Sequence, residues 1–565
     1  MRFDLGQYGD AVERRLARLS AADAPGRIWA RDATFWGGDA AQQRSVANRL
    51  GWLDVAQRMR AGIDELRGFA DDVRANFDAC VLLGMGGSSL ASEVLRESIP
   101  HRPGWPRLHV LDTTDPATIL ATTRHINPAR TLFFASSKSG TTLEVNSLFS
   151  YFLGQVSPVL GERSGENFVA ITDADTPLQA LAAQHGFRKV FTNPGDIGGR
   201  YSALSYFHLA PASATGVDIG RLIDGAIAEA QVSGGGIRDA LKLGATLGEL
   251  ARGGRDKCTF LVTPAIASFG LWVEQLIAES TGKRGTGILP VAGEPEGTPR
   301  HYRDDRVFVR IRLDADENDE LDAIAGALHA EGHPLITIDL DDPYDLGREF
   351  FRWEFAIAVA GQVLEINPFD EPNVQESKDN TNRVLAEFEQ TGKLDIAGID
   401  TVAPVTLTST TASPDADIDG ALALLLRRLM PGDYFAITAY IQPTDAAQQA
   451  FDALRADVRD AWRVATTLGY GPRFLHSTGQ LHKGGPPRGV FLQVTAVDPE
   501  DIAIPGKPFT FGQLKRAQAI GDFESLERHG RPVLRLHLGQ NTVVGLDRLR
   551  RALESAITAA GTAGG

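Results

Sequence analysis

Two segments of this 565-residue chain place glycines and hydroxyl side chains between an apolar run and a helix-like stretch. The first, "VLLGMGGSSLASEVL" from Val81, carries its turn in Gly84, Gly86, Gly87, Ser88 and Ser89. The second, "FFASSKSGTTLEVNSLF", gathers five hydroxyls and one cation in seven residues, namely Ser136, Ser137, Lys138, Ser139, Thr141 and Thr142. Hydroxyls, free backbone amides and the positive end of a helix dipole together favour an anion such as a phosphate monoester.

Three functional interpretations of the first turn compete with a structural one. A dinucleotide site would use Asp112 to bind a ribose, but Ser89 stands where the fingerprint has its third glycine. A nucleophile elbow would need a glycine two residues after Ser88, and Leu90 stands there. A phosphate or sugar site needs a second anion loop on a neighbouring strand, which the second segment supplies. In the structural interpretation, the glycines only close a strand-to-helix turn.

Three ionisable side chains could perform acid–base or charge-stabilising chemistry. Glu279, in "FGLWVEQLIAESTGKRG", lies at the edge of a helical apolar face with Trp272, so we expect a raised pKa that suits a general base; a solvated last turn is the alternative. Lys378, in "EPNVQESKDNTNRVLAEF", shares a helical stripe with apolar residues, so it is predicted to face inward and to meet an anionic or polar ligand, or else to snorkel. Arg200, in "PGDIGGRYSAL", is either a ligand clamp or a loop-pinning residue.

Bulk composition narrows the function classes. Hydrophobic residues make up 43% and charged residues 23%, as in ordinary globular proteins, and no apolar run is long enough to cross a bilayer. The net charge of -15 argues against a nucleic-acid partner. Cys80 and Cys258 each precede an apolar run, which predicts buried reduced thiols. The N-terminal segment lacks the apolar stretch of a secretory signal, so we expect a cytoplasmic protein without membrane contact.

The pattern along the chain predicts an α/β protein with several units. Apolar runs alternate with helical periodicity from about residue 80, which indicates parallel sheets in two tandem doubly wound units. A Thr-, Ser-, Pro- and Asp-rich stretch near residue 400 suggests a linker before a C-terminal α+β unit. The expected division is a helical extension at 1–50, a first unit at 51–225, a second at 226–398 and the C-terminal unit at 399–565.

Five segments, taken in order, resemble phosphoglucose isomerase. They are "LLGMGGSSLA", "SSKSGTTLE", "GGRYSALS", "ESTGK" and "NPFDEPNVQESK". The N-terminal "RIWARDATFWGGD" and the C-terminal unit are similar to the isomerase half of bacterial transaldolase/phosphoglucose isomerase fusions. The resemblance implies two flavodoxin-like sugar-isomerase domains and the interconversion of glucose 6-phosphate and fructose 6-phosphate, without metal or other cofactor.

The resemblance also implies roles for individual residues. Glu279 would shuttle a proton through a cis-enediol(ate), Arg200 would stabilise the charge that develops, and Lys378 would contact the sugar ring as it opens. The expected substrate-binding residues are Gly86, Gly87, Ser88, Ser137, Lys138, Ser139, Thr141, Thr142 and Gly199.

The chain departs from the family pattern at two places. Glu371 stands where the family often has glutamine, so a neutral sugar contact is expected to have become charged or structural. The ring-opening histidine is predicted as His301 from its spacing after Glu279, with His476 and His482 of "FLHSTGQLHKGG" as alternatives. In the family this histidine comes from the neighbouring subunit, so the resemblance implies a homodimer.

Other functions remain open at this point. An isomerase acting on mannose 6-phosphate or another phosphosugar would use the same groups. A sugar-phosphate-binding regulatory protein would need the hydroxyl-rich loop but no proton shuttle, and a dehydrogenase would leave the second loop without a use.

Overall fold

The computed structural model contains three α/β units, each built on its own sheet. It describes residues 1–231, 236–394, 406–409 and 417–561. Within these residues, the strands form three five-stranded sheets. The predicted boundary near residue 400 lies outside the described residues.

The N-terminal segment is mostly helical, as predicted, and it also contributes a strand. Its helices are α1 (Gly9–Ala21), α2 (Ala24–Trp29), α3 (Ala40–Ala47), α4 (Val55–Ala61) and α5 (Ile63–Asn76). Strand β1 (Arg2–Asp4) pairs antiparallel with residues 335–337 of the second sheet. The extension is therefore joined to the second unit through a sheet edge.

The first unit is a doubly wound parallel sheet, as the alternation of apolar runs and helical stretches predicts. The strands are β2 (Ala79–Gly84), β3 (Arg107–Leu111), β4 (Thr131–Ser136), β5 (Phe168–Thr172) and β6 (Lys189–Thr192), in the order β3-β2-β4-β5-β6. The helices are α6 (Leu90–Ser98), α7 (Pro116–His125), α8 (Leu143–Leu160), α9 (Pro177–His185), α10 (Tyr206–Ala214) and α11 (Ile219–Ala230). Gly84 pairs with Ser136 where β2 and β4 end, so the two anion loops begin side by side.

The second unit repeats this architecture, which confirms the tandem arrangement. Its strands are β7 (Lys257–Val262), β8 (Leu289–Val291), β9 (Arg306–Leu313) and β10 (Leu335–Leu340), all mutually parallel, with β1 at the edge beside β10. Its helices are α12 (Gly236–Arg252), α13 (Phe269–Thr281), α14 (Asp319–Ala330), α15 (Leu346–Val363) and α16 (Pro372–Thr391). Glu279 lies on α13, which ends before Gly282 as predicted, and Lys378 lies on α16.

The third unit differs from the α+β class that the sequence suggested. Its strands are β11 (Thr406–Ser409), β12 (Tyr434–Tyr440), β13 (Ala465–Tyr470), β14 (Gly489–Thr495) and β15 (Val533–His537), in the order β11-β15-β14-β12-β13. Its helices are α17 (Ile418–Leu426), α18 (Asp445–Trp462), α19 (Gly479–Gly484), α20 (Phe511–Arg528) and α21 (Thr542–Gly561). Only β11 is antiparallel among these described strands, because helices link the others and return the chain to the same sheet end. The unit is therefore α/β with one antiparallel edge.

The apolar cores join the units. One buried cluster combines Phe133 and Phe152 of the first unit with Phe511 and Leu514 of α20. Another combines Ala278 of α13 with residues of β12, α19 and β14. The third unit therefore packs against both of the other units. Both cysteines are buried free thiols, as predicted, and none of the described helices has the length and apolarity needed to span a membrane.

Candidate active site

One cavity of about 520 Å³ collects most of the residues that the sequence singles out. Its lining includes Met85, Gly87, Ser88, Lys138, Ser139, Thr142, Gly199, Arg200, Gln275, Glu279, Glu371, Val374, Lys378 and His476. These residues come from the ends of β2 and β4, from α13 and α16, and from the third unit. A second cavity of about 280 Å³ adjoins it, shares Thr142, Val374, Lys378 and His476, and adds Thr141 to the lining.

The first turn serves close packing as much as ligand binding. A Cβ atom on Gly87 would lie 2.2 Å from the carbonyl carbon of Gly199, so the turn and the Arg200 loop touch backbone to backbone. The hydroxyl of Ser202 ties the same loops together by donating to the Gly87 carbonyl at 2.9 Å. Of the three residues predicted to bind substrate in this turn, Gly87 and Ser88 line the cavity. Gly86 does not, because the backbone of His476 covers it.

The second loop stands at the N-terminus of α8, an 18-residue helix, as the anion interpretation requires. The hydroxyls of Ser137 and Thr142 are hydrogen-bonded at 2.8 Å, and Ser137 Oγ also accepts the Gly140 amide. The hydroxyls of Ser139 and Thr141 are hydrogen-bonded at 2.9 Å. Ser137 therefore shapes the loop from within, while Ser139 and Thr142 line the cavity.

Lys138 is held at the rim of this loop by an acidic neighbour. Its ammonium donates to Asp173 Oδ2 and, at 3.0 Å, to the Gly195 carbonyl. Burial raises the pKa of Asp173, and the charge of Lys138 opposes that shift. The ammonium is thereby placed beside the hydroxyl cluster, where its charge attracts a phosphate.

Glu279 is a buried carboxylate facing the cavity, so the solvated alternative is excluded. It is 7% exposed, and Gln275 Nε2 donates to its Oε2 at 3.1 Å. Burial raises the pKa of Glu279 to about 7, against the opposing charge of Arg200 and with a further contribution from Glu371. A carboxylate with this pKa is suited to accept and return a proton near neutral pH.

Arg200 both pins its loop and places a charge beside the carboxylate. Its Nε donates to Ser280 Oγ at 2.8 Å, and its Nη2 donates to the carbonyls of Pro368 at 2.7 Å and Asp370 at 3.0 Å. Its Nη1 lies 3.0 Å from Glu371 Oε2 and 3.5 Å from Glu279 Oε1. The loop-pinning interpretation is therefore confirmed, the ligand-clamp interpretation stays a prediction, and Glu371 is a charged partner of Arg200.

Lys378 lines the cavity but is exposed, which corrects the inward-facing placement. Of the predicted helical stripe on α16, Val374 and Lys378 line the cavity, whereas Thr381 and Leu385 farther along the helix are buried. In the part of the chain that the structure describes, its ammonium has no hydrogen-bond or ion-pair partner. A free cation at this point can bind an oxygen of a bound ligand.

Comparisons with known proteins agree with this geometry. Residues 45–284 match the family model for phosphoglucose isomerase, a range that contains both anion loops, Arg200 and Glu279. Over these residues the chain is similar to phosphoglucose isomerases. A glucose-6-phosphate isomerase of Symbiobacterium thermophilum is 29% identical over 394 residues, covering 60% of this chain and 88% of that protein. A glucose-6-phosphate isomerase of Thermus thermophilus is 28% identical over 398 residues, which cover 62% of this chain and 94% of that protein.

A comparison with solved structures agrees with this sequence similarity. A crystal structure of a hypothetical protein from Thermus thermophilus is 26% identical and superposes with a TM-score of 0.58. It covers 68% of this chain and 99% of its own length. That comparison therefore leaves about a third of this chain unmatched.

Of the three candidate histidines, the structure brings only His476 to the cavity. His301 lies outside the cavity, in the loop that follows β8. This loop packs against α18, where His301 Nδ1 lies 3.1 Å from Asp460 Oδ1. His482 is buried against Tyr434, Phe474 and Phe491, and burial lowers its pKa to about 3. Within one chain the geometry therefore favours His476 over His301, and the identity of the ring-opening histidine stays a prediction.

His476 is oriented by a buried carboxylate. Its Nε2 donates to Glu144 Oε1 at 3.0 Å, and Gln518 Nε2 of α20 donates to the same oxygen at 2.8 Å. Burial alone raises the pKa of Glu144, but the attraction of His476 outweighs it and leaves that pKa below its usual value. Glu144 is therefore an ionised acceptor that holds the imidazole ring toward the cavity.

Sequence reasoning missed four residues of this site. Gln275 lies one helical turn before Glu279, and its Oε1 is buried without a hydrogen-bond partner among the described residues, so it is free to accept from a ligand hydroxyl. Glu144 is the last residue of the quoted "SSKSGTTLE" segment. Asn48 and Arg49 line the cavity from the N-terminal segment. The i, i+4 spacing from Glu279 could have identified Gln275, whereas Arg49 gives no local signal.

The raised pKa of Glu279 predicts an acid limb in the pH profile. A base must be ionised, so kcat/KM of the free enzyme should fall as the pH decreases through about 7. Glu371 raises that pKa, so Glu371→Gln should move the limb to lower pH. The profile is measured from pH 5 to 9, with Glu365→Gln at the exposed end of α15 as the control. A limb that stays in place or moves to higher pH in Glu371→Gln would contradict this assignment.

Proposed function

We propose that this chain catalyses the reversible isomerisation of glucose 6-phosphate and fructose 6-phosphate. The observation that carries the proposal is a buried carboxylate with a raised pKa, Glu279, in the same cavity as a hydroxyl-rich helix N-terminus. The names of its relatives supply the substrate pair. A binding protein would need the phosphate loop without a buried base.

Substrate binding begins at the phosphate. The amides at the start of α8, the hydroxyls of Ser139 and Thr142 and the ammonium of Lys138 hold it. Ser88 and the Gly87 backbone then face the sugar from the neighbouring strand end. The phosphate thus fixes the distance of the sugar carbons from α13.

Ring opening is assigned to His476 with Lys378. The charged imidazole, which Glu144 stabilises through Nε2, donates its Nδ1 proton to the ring oxygen, and Nδ1 then takes up the proton that the hydroxyl on C1 releases. The free ammonium of Lys378 stands on the same side of the cavity and stabilises negative charge on the sugar oxygens. Open-chain substrate should bypass this step.

Isomerisation itself is assigned to Glu279 and Arg200. The carboxylate removes the proton from C2 to form a cis-enediol(ate) and returns it to C1, while the proton on the C2 hydroxyl passes to the oxygen of C1. Microscopic reversibility gives the reverse reaction. Arg200 Nη1, which lies 3.5 Å from Glu279 Oε1, stabilises the negative charge that develops on the oxygens. Gln275 holds the carboxylate in position.

The test is a coupled assay of the purified chain. Formation of fructose 6-phosphate from glucose 6-phosphate should be readily measured and unchanged by a chelator. Mannose 6-phosphate run in parallel identifies an isomerase of broader substrate range. No turnover of either sugar at high enzyme concentration would support a binding protein, and loss of activity with chelator would overturn the metal-free mechanism.

A further inference from the structure

The third unit supplies His476 to a cavity that the first two units otherwise build. We propose that it completes the active site within one chain, so that each chain works without a catalytic residue from another subunit. This inference rests on the proposed isomerase function. It gives a role to the residues beyond 416, to which the family match does not extend.

Backbone packing places the third unit on two catalytic segments. A Cβ atom on Gly86 would lie 2.6 Å from the carbonyl oxygen of His476, and one on Gly282 would lie 2.4 Å from Leu481 Cα. Contacts this short need glycine, because any side chain would force the segments apart. The third unit is thus seated directly on the GMGG turn and on the end of the Glu279 helix.

Polar groups fix α19 to the start of α16, the helix that carries Lys378. Gln480 Nε2 donates to the Gly282 carbonyl at 2.9 Å, and its Oε1 accepts the Asn373 amide at 2.8 Å. Lys483, which is fully buried with its partner Asp522, donates to Ser377 Oγ at 3.0 Å. Asp522 belongs to the third unit as well, so separating the units would leave this ion pair intact, but it would break the buried hydrogen bonds of Lys483 to Ser377 and of Gln480 to Gly282 and Asn373.

Residues of the same chain hold both the ring and the backbone carbonyl of His476. Its ring donates to Glu144, and its carbonyl accepts from Gln275 Nε2 at 2.7 Å. Gln275 also contacts Glu279, so a single amide links the base to the histidine segment. A histidine brought by another chain would have to displace this segment from Gly86.

The experiment combines two inactive variants in one assembly. Glu279→Gln and His476→Asn carry different affinity tags, are expressed together, and are purified through both tags in succession. If each chain holds a complete site, every site in the mixed assembly carries one lesion, and activity stays at the level of the single variants. If the histidine came from the partner, one of the two sites in a mixed dimer would regain both residues, and about half of the wild-type activity would return.

Restored activity would overturn the proposal, and an unrestored mixed assembly supports it. If no mixed assembly forms because the chain is monomeric at assay concentration, full specific activity of that monomer supports it equally. His301→Asn, outside the cavity, is the matched control and should keep wild-type turnover, whereas His476→Asn should lower it at least about tenfold. Thermal unfolding of each variant verifies folding. An inactive wild-type chain would refute the isomerase function itself, which separates the two failures.

Discussion

Glu279→Gln is expected to lower kcat by about 10²- to 10⁴-fold, the usual contribution of a positioned general base. The amide keeps the size of the side chain and the hydrogen bond partner Gln275, but it cannot accept the proton from C2. Binding of sugar phosphate should persist, because the phosphate loop on α8 is untouched. Turnover and binding are measured separately, by coupled assay and by calorimetric titration with an unreactive sugar-alcohol phosphate.

The chain offers a matched control on the same helix. Burial also raises the pKa of Glu274, to about 8, but this carboxyl does not line the main cavity. Glu274→Gln replaces a largely protonated acid with an amide and should leave kcat near the wild-type value. Unchanged turnover in Glu279→Gln, or an equal loss in both variants, would remove Glu279 from the role of base.

Arg200→Lys is expected to lower kcat by about 10²- to 10³-fold, as for loss of one preorganised donor to a developing oxyanion. The guanidinium bonds Ser280, Pro368, Asp370 and Glu371 in a planar fork that an ammonium cannot reproduce. The distinguishing measurement is binding of a phosphorylated enediolate analogue, which should weaken in proportion to kcat/KM. Binding of a sugar-alcohol phosphate should change much less.

A purely structural role for Arg200 would give a different result. Both ligands would then weaken together, and the melting temperature would fall with them. Arg312→Lys is the control, because Arg312 pairs with carboxylates of the second sheet away from the cavity. It should leave both affinities unchanged.

Much of the fold follows from local pattern. Strands β2 and β4 are nearly continuous apolar runs, and their parallel pairing brings the two anion loops to one sheet edge. Strand β8, with the sequence "LPV", is too short and β13, "ATTLGY", too polar to be recognised. The class of the third unit was misjudged because the pairing direction of a strand depends on the connection and not on its own residues.

The candidate site also has residues that local sequence patterns predict and residues that they do not. Glu279 could be predicted because its burial follows from helical periodicity with Trp272 on α13. The inward-facing prediction for Lys378 is wrong because a helical stripe of apolar residues does not show which of its turns are covered by the rest of the protein. His476 reaches Glu144 across 332 residues of sequence, through the seating of the third unit on Gly86, and no local pattern encodes such a contact.

The most direct test of the central claim uses glucose 6-phosphate with deuterium at C2, in ordinary water. A single carboxylate that carries the proton from C2 to C1 should give fructose 6-phosphate with part of the deuterium on C1 and the rest lost to solvent, and Glu279→Gln should abolish both products. Nuclear magnetic resonance follows the label in each position. Complete transfer without loss to solvent would indicate a hydride shift, and that result, or label transfer that survives in Glu279→Gln, would contradict the account.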